Sequence, residues 1–327
     1  MSFDAAAAMA DAIAEGDKAR LHAPPNPWVG ALIVRDEVLV GAGHTQAPGE
    51  SHAEVEALRR AGELARGATM VVTLEPCCHV GRTGPCVEAL IEAGVSRVVV
   101  GSLDPDPRVA GRGVAALREA GVDVEVGVGL EAVRTQLAPY LWHRVTGRPY
   151  VVLKVAATLD GAVAMADGSS QWITGAPARR DAHLLRAQSQ AIIVGANTVR
   201  LDDPALTARL DDVTLAPLRV VLGTAPERAR VRPCWERQGD LGAILDELGE
   251  HDVVQVLVEG GAQVASSFLE AGLVNHVVWY AAPAFAGSAG SRGALATLST
   301  PSIDALRRAR FTALRRVGED VRMDLEV

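Results

Sequence analysis

Short apolar runs alternate with helically spaced stretches along this chain; the pattern breaks once and then starts again. No other feature constrains the fold as much. A strand–helix–strand series must cover its strands with helices, and that makes a layered α/β structure. In the first half Ala5, Ala8, Met9, Ala12 and Ile13 recur at helical spacing. Apolar runs at 29–34 and 38–41 flank Arg35-Asp36-Glu37 and predict a hairpin. The spacing then predicts a helix over 51–64, a strand over 69–74, and a helix over 85–93 with Pro85 at its start and Gly94 beyond its end. A strand over 97–100, a helix over 113–120 and a strand over 122–128 follow. Val133, Leu137 and Leu141 mark one more helix, which completes a five-stranded α/β layer. The break is Thr146-Gly147-Arg148-Pro149. Beyond it, 150–156, 191–195, 219–222, 253–258 and 274–281 are strand candidates. Helices fit 178–188 and 262–271, and two last strands fall within 311–327.

This organisation implies two α/β domains, 1–146 and 147–327. The length of 327 residues agrees at roughly 150 residues per domain. Apolar residues make up 49 % and charged residues 22 %, which excludes a disordered chain. The net charge of −8 argues against nonspecific nucleic-acid or membrane binding. No run is long and apolar enough to cross a bilayer, and the N-terminus lacks the layout of a signal peptide, so the expected location is cytoplasmic. Four cysteines make no disulfide scaffold, yet Cys77, Cys78 and Cys86 fall within ten residues, a clustering that points to metal or catalysis.

The chemistry concentrates in His52-Ala53-Glu54, Pro76-Cys77 and Pro85-Cys86. One imidazole and two thiolates suit Zn²⁺, and three ligands leave a fourth position open for water. A non-ligand carboxylate two residues after the histidine can carry protons, the arrangement zinc deaminases use. Eight residues separate the two cysteines, so the usual Pro-Cys-x-x-Cys closure is matched only in part. Ser51-His52-Ala53-Glu54 also reads as a helix capping box, and the two roles can coexist. Cys78 reads as a small buried residue and Cys234 as inert.

Pro25-Asn26-Pro27-Trp28-Val29-Gly30, Ser51-His52-Ala53-Glu54-Val55 and the run Thr73 through Cys86 resemble the bifunctional riboflavin-biosynthesis deaminase/reductase family, as do Asp104-Pro105-Asp106-Pro107 and Val109 to Gly113. The resemblance implies a cytidine-deaminase-like α/β/α fold for the first domain. Its implied substrate is a diaminopyrimidinone bearing a ribosylamino 5′-phosphate, held by Asn26, His79 and Arg82. Arg82 suits the phosphate. It implies one zinc on His52, Cys77 and Cys86, with Glu54 as the catalytic acid and base. His44 stands near the family's substrate contact after Gly41-Ala42-Gly43.

The order of polar clusters in the second half resembles the reductase half of the same family. That implies a dihydrofolate-reductase-like α/β fold and NADPH, which would reduce the ribosyl to a ribityl group. On matching positions Lys154, Ala156, Trp172, Thr198, Asp202, Thr224 and Gly261-Ala262-Gln263 would face NADPH. Ser170, Arg186, Leu206, Arg209 and Glu259 would hold substrate. Arg186 and Arg209 are the phosphate candidates, with helix or loop surface charge as the lesser reading of each. Lys154 reads as a proton donor, a charge beside the cofactor or an edge-strand lysine. Gly260-Gly261 before a helix suits a phosphate or a tight turn. The chain departs from the family at Ala162 and Gly223, and 230–241 is short, as if a strand and loop were missing. A degraded, non-reducing second module is therefore an alternative. Two rivals of other classes are a nucleic-acid base deaminase and a purely structural zinc site. Gly127-Val128-Gly129-Leu130-Glu131-Ala132 imitates a dinucleotide fingerprint but has no acidic residue at the required distance. The expected partners are a small pyrimidine ribosyl phosphate and further copies of the chain, as a homodimer or larger.

Overall fold

The computed structural model describes residues 3–79, 84–210, 213–287 and 289–327. The chain divides into two compact units, Met1–Gly147 and Arg148–Val327. Among the described residues no helix is long and apolar enough to cross a membrane.

The first unit runs α1 (Ala5–Asp17), β1 (Gly30–Arg35), β2 (Val38–His44), α2 (Ala53–Ala61), β3 (Thr69–Leu74), α3 (Cys86–Glu92), β4 (Arg97–Ser102), α4 (Arg112–Glu119), β5 (Asp123–Val126), α5 (Leu130–Gln136) and α6 (Ala138–Thr146). Its sheet has the order β2-β1-β3-β4-β5. β1 pairs antiparallel with β2 and β3, whereas β3, β4 and β5 are parallel. The valine-rich β3 and β4 are buried over all but their first residue, as central parallel strands must be. α2 lies tight on β2 because two positions there carry no side chain. A Cβ at Gly43 would stand 2.4 Å from the Ala53 carbonyl oxygen, and one at Gly41 would stand 2.3 Å from that of Ala57.

Two expectations change here. The single helix read through Val133, Leu137 and Leu141 is two helices, broken at Leu137. Pro139 has no N–H to return to the Thr135 carbonyl, so it opens a new helix instead of continuing the old one. The capping box does not form either: His52 is the N-cap of α2 and makes no side-chain cap bond. Ser51 engages Glu56 instead of the helix N–H groups.

The second unit runs β6 (Tyr150–Thr158), β7 (Ala162–Ala164), α7 (Ala176–Ala187), β8 (Ala191–Gly195), α8 (Ala196–Asp202), β9 (Ala208–Leu210), β10 (Val213–Leu215), β11 (Leu218–Leu222), β12 (Trp235–Arg237), α9 (Leu241–Glu250), β13 (Gln255–Val258), α10 (Ala262–Glu270), β14 (His276–Ala282), β15 (Arg292–Gly293), β16 (Arg310–Val317) and β17 (Asp320–Glu326). An eight-stranded sheet has the order β12-β11-β8-β13-β6-β14-β17-β16. β12 through β14 are parallel in that order, and the closing β17 and β16 are antiparallel. Side chains alternate between two cores, as a pleated strand requires. Val151, Leu153 and Val155 pack with Leu245, Leu248 and Phe268 of α9 and α10. Val152, Ile192, Val194 and Leu257 pack with Leu185 and Val199 of α7 and α8.

β6 is an interior strand, so Lys154 is no edge-strand lysine. The short stretch 230–241 still delivers β12, which pairs parallel with β11 over Trp235–Arg237. β13 returns between β8 and β6, and an open parallel sheet offers a ligand crevice at the strand ends beside such a return.

Candidate active sites

In the first unit three elements meet. His52 sits at the start of α2, Cys77 follows the end of β3, and Cys86 is the first residue of α3. His52 Nδ1 lies 3.5 Å from Cys77 Sγ and 3.3 Å from Cys86 Sγ, and the three ligand atoms all fall within 4.8 Å of one another. Bonds of about 2.0 Å to nitrogen and 2.3 Å to sulfur around a tetrahedral centre put N and S about 3.5 Å apart, so the residues fit a zinc ion. Cys78 is not in this set; its thiol turns to the Arg108 carbonyl at 3.6 Å, and it is half-buried instead of buried.

The groups titrate as a coupled cluster. The hydrogen bond with Cys77 raises the His52 imidazole to about 9. A hydrogen bond from Cys86 lowers the Cys77 thiol to about 4. Cys86, donating to that thiolate and buried, is raised. Burial pushes the Glu54 carboxyl up. Glu54 is 4 % exposed in the first turn of α2, where the backbone holds it two residues from His52.

Sequence reasoning missed Glu75. Its carboxylate accepts the N–H groups of Asp104, Gly111 and Val114 at 3.3, 2.9 and 3.0 Å. It thereby ties the loop bearing Cys77 to the start of α4. An acid directly before Pro-Cys was the available signal.

The other expected residues of this unit are less connected. Asn26 is half-buried, its N–H donating to the Ala23 carbonyl. His79 has a buried Nδ1 without a hydrogen-bond partner among the described residues. Arg82 lies outside the described residues. His44 holds the Glu15 carboxylate at 2.9 Å and meets His22 edge-on.

In the second unit all fourteen expected residues line one cleft of about 1560 Å³: Lys154, Ala156, Ser170, Trp172, Arg186, Thr198, Asp202, Leu206, Arg209, Thr224, Glu259, Gly261, Ala262 and Gln263. Gly261 is the N-cap of α10 and leaves that helix's first N–H groups without a side-chain cap, a ready anion cradle. Arg186 grips Glu259 with both arms, at 2.8 and 2.6 Å, and also donates to the Thr207 carbonyl. Burial pushes Glu259 up, but the Arg186 charge and hydrogen bonds outweigh it and hold the carboxyl below its usual range. Burial lowers the Lys154 ammonium against the pull of Glu259. Arg209 faces His183, with Nη2 3.4 Å from Nε2. Arg179 stacks on Trp172 at 4.6 Å. His183 and Arg179 escaped the sequence reading because neither belongs to a quoted motif.

Residues 149–323 match the family model described as RibD C-terminal domain, and residues 3–102 match the cytidine and deoxycytidylate deaminase zinc-binding region. The riboflavin biosynthesis protein RibD of Escherichia coli is 42 % identical over 362 aligned positions, covering 97 % of this chain and 98 % of that one. The alignment exceeds the 327 residues here, so that relative carries residues this chain lacks. The RibD of Chlamydia trachomatis is 47 % identical over 319 positions, 86 % of this chain and 85 % of that one. Among solved structures, one form of Acinetobacter baumannii RibD superposes with a TM-score of 0.92 at 37 % identity, covering 98 % of both chains. A diaminohydroxyphosphoribosylaminopyrimidine deaminase/5-amino-6-(5-phosphoribosylamino)uracil reductase of Thermotoga maritima gives 0.89 at 32 %, with the same coverage.

Proposed function

This chain belongs to the RibD family, and from that premise we propose how its residues divide two reactions between two units. The protein is a bifunctional enzyme of riboflavin biosynthesis, a zinc-dependent deaminase and an NADPH-dependent reductase. It deaminates 2,5-diamino-6-ribosylamino-4(3H)-pyrimidinone 5′-phosphate and then reduces the ribosyl to a ribityl group. The first unit has the cytidine-deaminase-like fold and the second the dihydrofolate-reductase-like fold.

The deaminase reading is carried by His52, Cys77 and Cys86 converging beside the buried Glu54. Zinc held by those three residues supplies a water acidic enough to react near pH 7, where free water has a pKa of ~15.7. The Glu54 carboxylate takes a proton from the attacking water and gives it to the ring nitrogen; it then takes the proton of the newly added hydroxyl, which becomes the carbonyl, and gives it to the amino group, which leaves as ammonia. Asn26 and His79 hold the pyrimidine, and Arg82 takes its phosphate.

NADPH bound in the cleft would supply the hydride needed at the sugar C1 of the ring-opened imine. Ala156, Trp172, Thr198, Asp202, Thr224 and the Gly261-Ala262-Gln263 turn bind that cofactor. Lys154, with its ammonium lowered by burial, gives the imine nitrogen its proton. Ser170, Leu206, Arg186, Arg209 and Glu259 hold the substrate. Arg186 and Glu259 cancel each other's charge, so this pair orients sugar hydroxyls; Arg209, free of any carboxylate among the described residues, takes the phosphate. A second unit that does not reduce has no observation in its favour, since β12 forms and every expected residue lines the cleft. The enzyme acts in the cytoplasm as a homodimer or larger.

Metal removal separates the reactions. Chelated protein given substrate is expected to stop deaminating. Given the already deaminated compound and NADPH, it is expected to keep reducing. Loss of both reactions together would overturn the division of residues between the units.

A further inference from the structure

We infer that His183 is a positioning residue of the reductase, whose neutral imidazole holds the Arg209 guanidinium ready for the substrate phosphate; this rests on the assignment of that phosphate to Arg209 above. α7 carries His183 and Arg186 one turn apart, so both lie on one helix face. They meet the chain at a single atom. The Thr207 carbonyl oxygen lies 3.2 Å from His183 Nδ1 and accepts from Arg186 Nη1 at 3.2 Å. An oxygen with two lone pairs can serve both. The backbone reaches this clamp through Leu206, which is buried with φ at 51°, a left-handed conformation that a leucine rarely adopts. β9 then brings Arg209 to the same ring, its N–H 3.2 Å from Nδ1 and its Nη2 3.4 Å from Nε2. Thr207 and Arg209 line the cleft, and His183 stands behind them.

These contacts select one protonation state. A carbonyl at Nδ1 calls for a donor there and an N–H calls for an acceptor, so Nδ1 alone leaves the choice open. Nε2 closes it. A guanidinium only donates, so Nε2 must keep its lone pair and Nδ1 must carry the proton. In that form His183 donates to Thr207 and accepts from Arg209. Burial lowers the His183 pKa, and the charges of Arg186 on α7 and Arg209 on β9 lower it further. The Thr207 carbonyl and Glu259, beyond the end of β13, pull the other way and are outweighed. Protonation would set a second N–H and a like charge against the guanidinium, and Arg209 would turn away.

Among the described residues no other cleft arginine meets a histidine, and the Arg209 guanidinium has no other hydrogen bond or ion pair. Arg186 is clasped by Glu259, Arg237 by Glu247, and Arg179 by the Thr174 carbonyl. A guanidinium held at one nitrogen by a neutral acceptor keeps its full charge and the rest of its fork for an anion.

The test is reductase kinetics of the full chain on the already deaminated substrate, with and without its 5′-phosphate, in wild type, His183→Leu, His183→Gln and Arg209→Ala. His183→Leu is expected to raise KM for the phosphorylated substrate about tenfold, the scale of a hydrogen bond to a charged group. Its kcat, and its KM for the dephosphorylated substrate, are expected to stay at wild-type values. His183→Gln keeps an acceptor that does not titrate, so it is expected to restore most of the lost KM. The phosphate itself titrates at about pH 6 in every form. As pH falls from about 8 to about 5.5, the wild-type KM is therefore expected to rise more steeply than that of His183→Gln. Equal rises in KM with and without the phosphate in His183→Leu would mark a structural role and overturn the inference. So would a wild-type KM in His183→Leu, or identical pH profiles in wild type and His183→Gln. An Arg209→Ala enzyme that keeps the wild-type KM would instead overturn the phosphate assignment itself.

Discussion

At the scale of single residues, the deaminase centre separates ligands from bystanders. Glu54→Gln keeps the shape but removes the proton carrier, so deamination is expected to fall about 10²- to 10⁴-fold with zinc content unchanged. Zinc lost along with activity would instead mark Glu54 as a ligand. Cys86→Ser is expected to lose zinc, whereas Cys78→Ser keeps it, because only the former thiol faces His52. Both counts come from elemental analysis of the purified protein. Zinc affinity is also expected to rise with pH. The metal needs neutral His52 and two thiolates, but the metal-free site holds His52 with its pKa at about 9 and Cys86 raised, so binding must release protons. Calorimetry in buffers of different ionisation enthalpy counts them, and an uptake of protons would contradict this protonation scheme.

At the scale of elements, geometry decides what spacing could not. The position of α2 depends on Gly43, because any Cβ there drives into the Ala53 carbonyl. Gly43→Ala is expected to cost about 1–3 kcal/mol in denaturant unfolding and to weaken zinc binding, since α2 carries His52 and Glu54. A variant with normal zinc affinity would show that α2 can shift without moving the site. In the cleft, Glu259→Gln leaves Arg186 largely buried without its counter-charge. The expected cost is about 3–5 kcal/mol, together with a raised KM.

The sequence made the central strands and the cluster of His52, Cys77 and Cys86 legible, since apolar runs and Pro-Cys pairs speak for themselves. It did not reveal α8 and α9 or the short β9, β10 and β12, where tertiary pairing outweighs weak local patterns. It also suggested an edge lysine at 154, because strand order is not written in local spacing. The sequence singled out Arg186, which lines the cleft, but not its clasp on Glu259, because 73 positions separate the partners.

At the scale of the whole molecule, two units with separate cores carry separate chemistry. Each also holds an acid-sensitive contact. In the first, the Arg108 hydrogen bond lowers Asp106 to about 2. In the second, burial pushes Asp324 up, but His276 and Arg322 outweigh it and hold it at about 2. Both carboxyls lie below their unfolded value of about 3.9, so their stabilisation is present above that pH and is lost as pH falls through about 2. Unfolding midpoints are expected to drop between pH 4 and pH 2, less steeply in Asp324→Asn for the second unit. The central claim, that one chain performs both reactions, is tested most directly by mass analysis of products. The zinc-loaded protein is incubated with the diaminopyrimidinone ribosylamino phosphate, with and without NADPH. The account expects exchange of an amine for oxygen in both reactions and a further gain of two hydrogens only with NADPH. Unchanged substrate, or deamination with no reduction when NADPH is present, would contradict it.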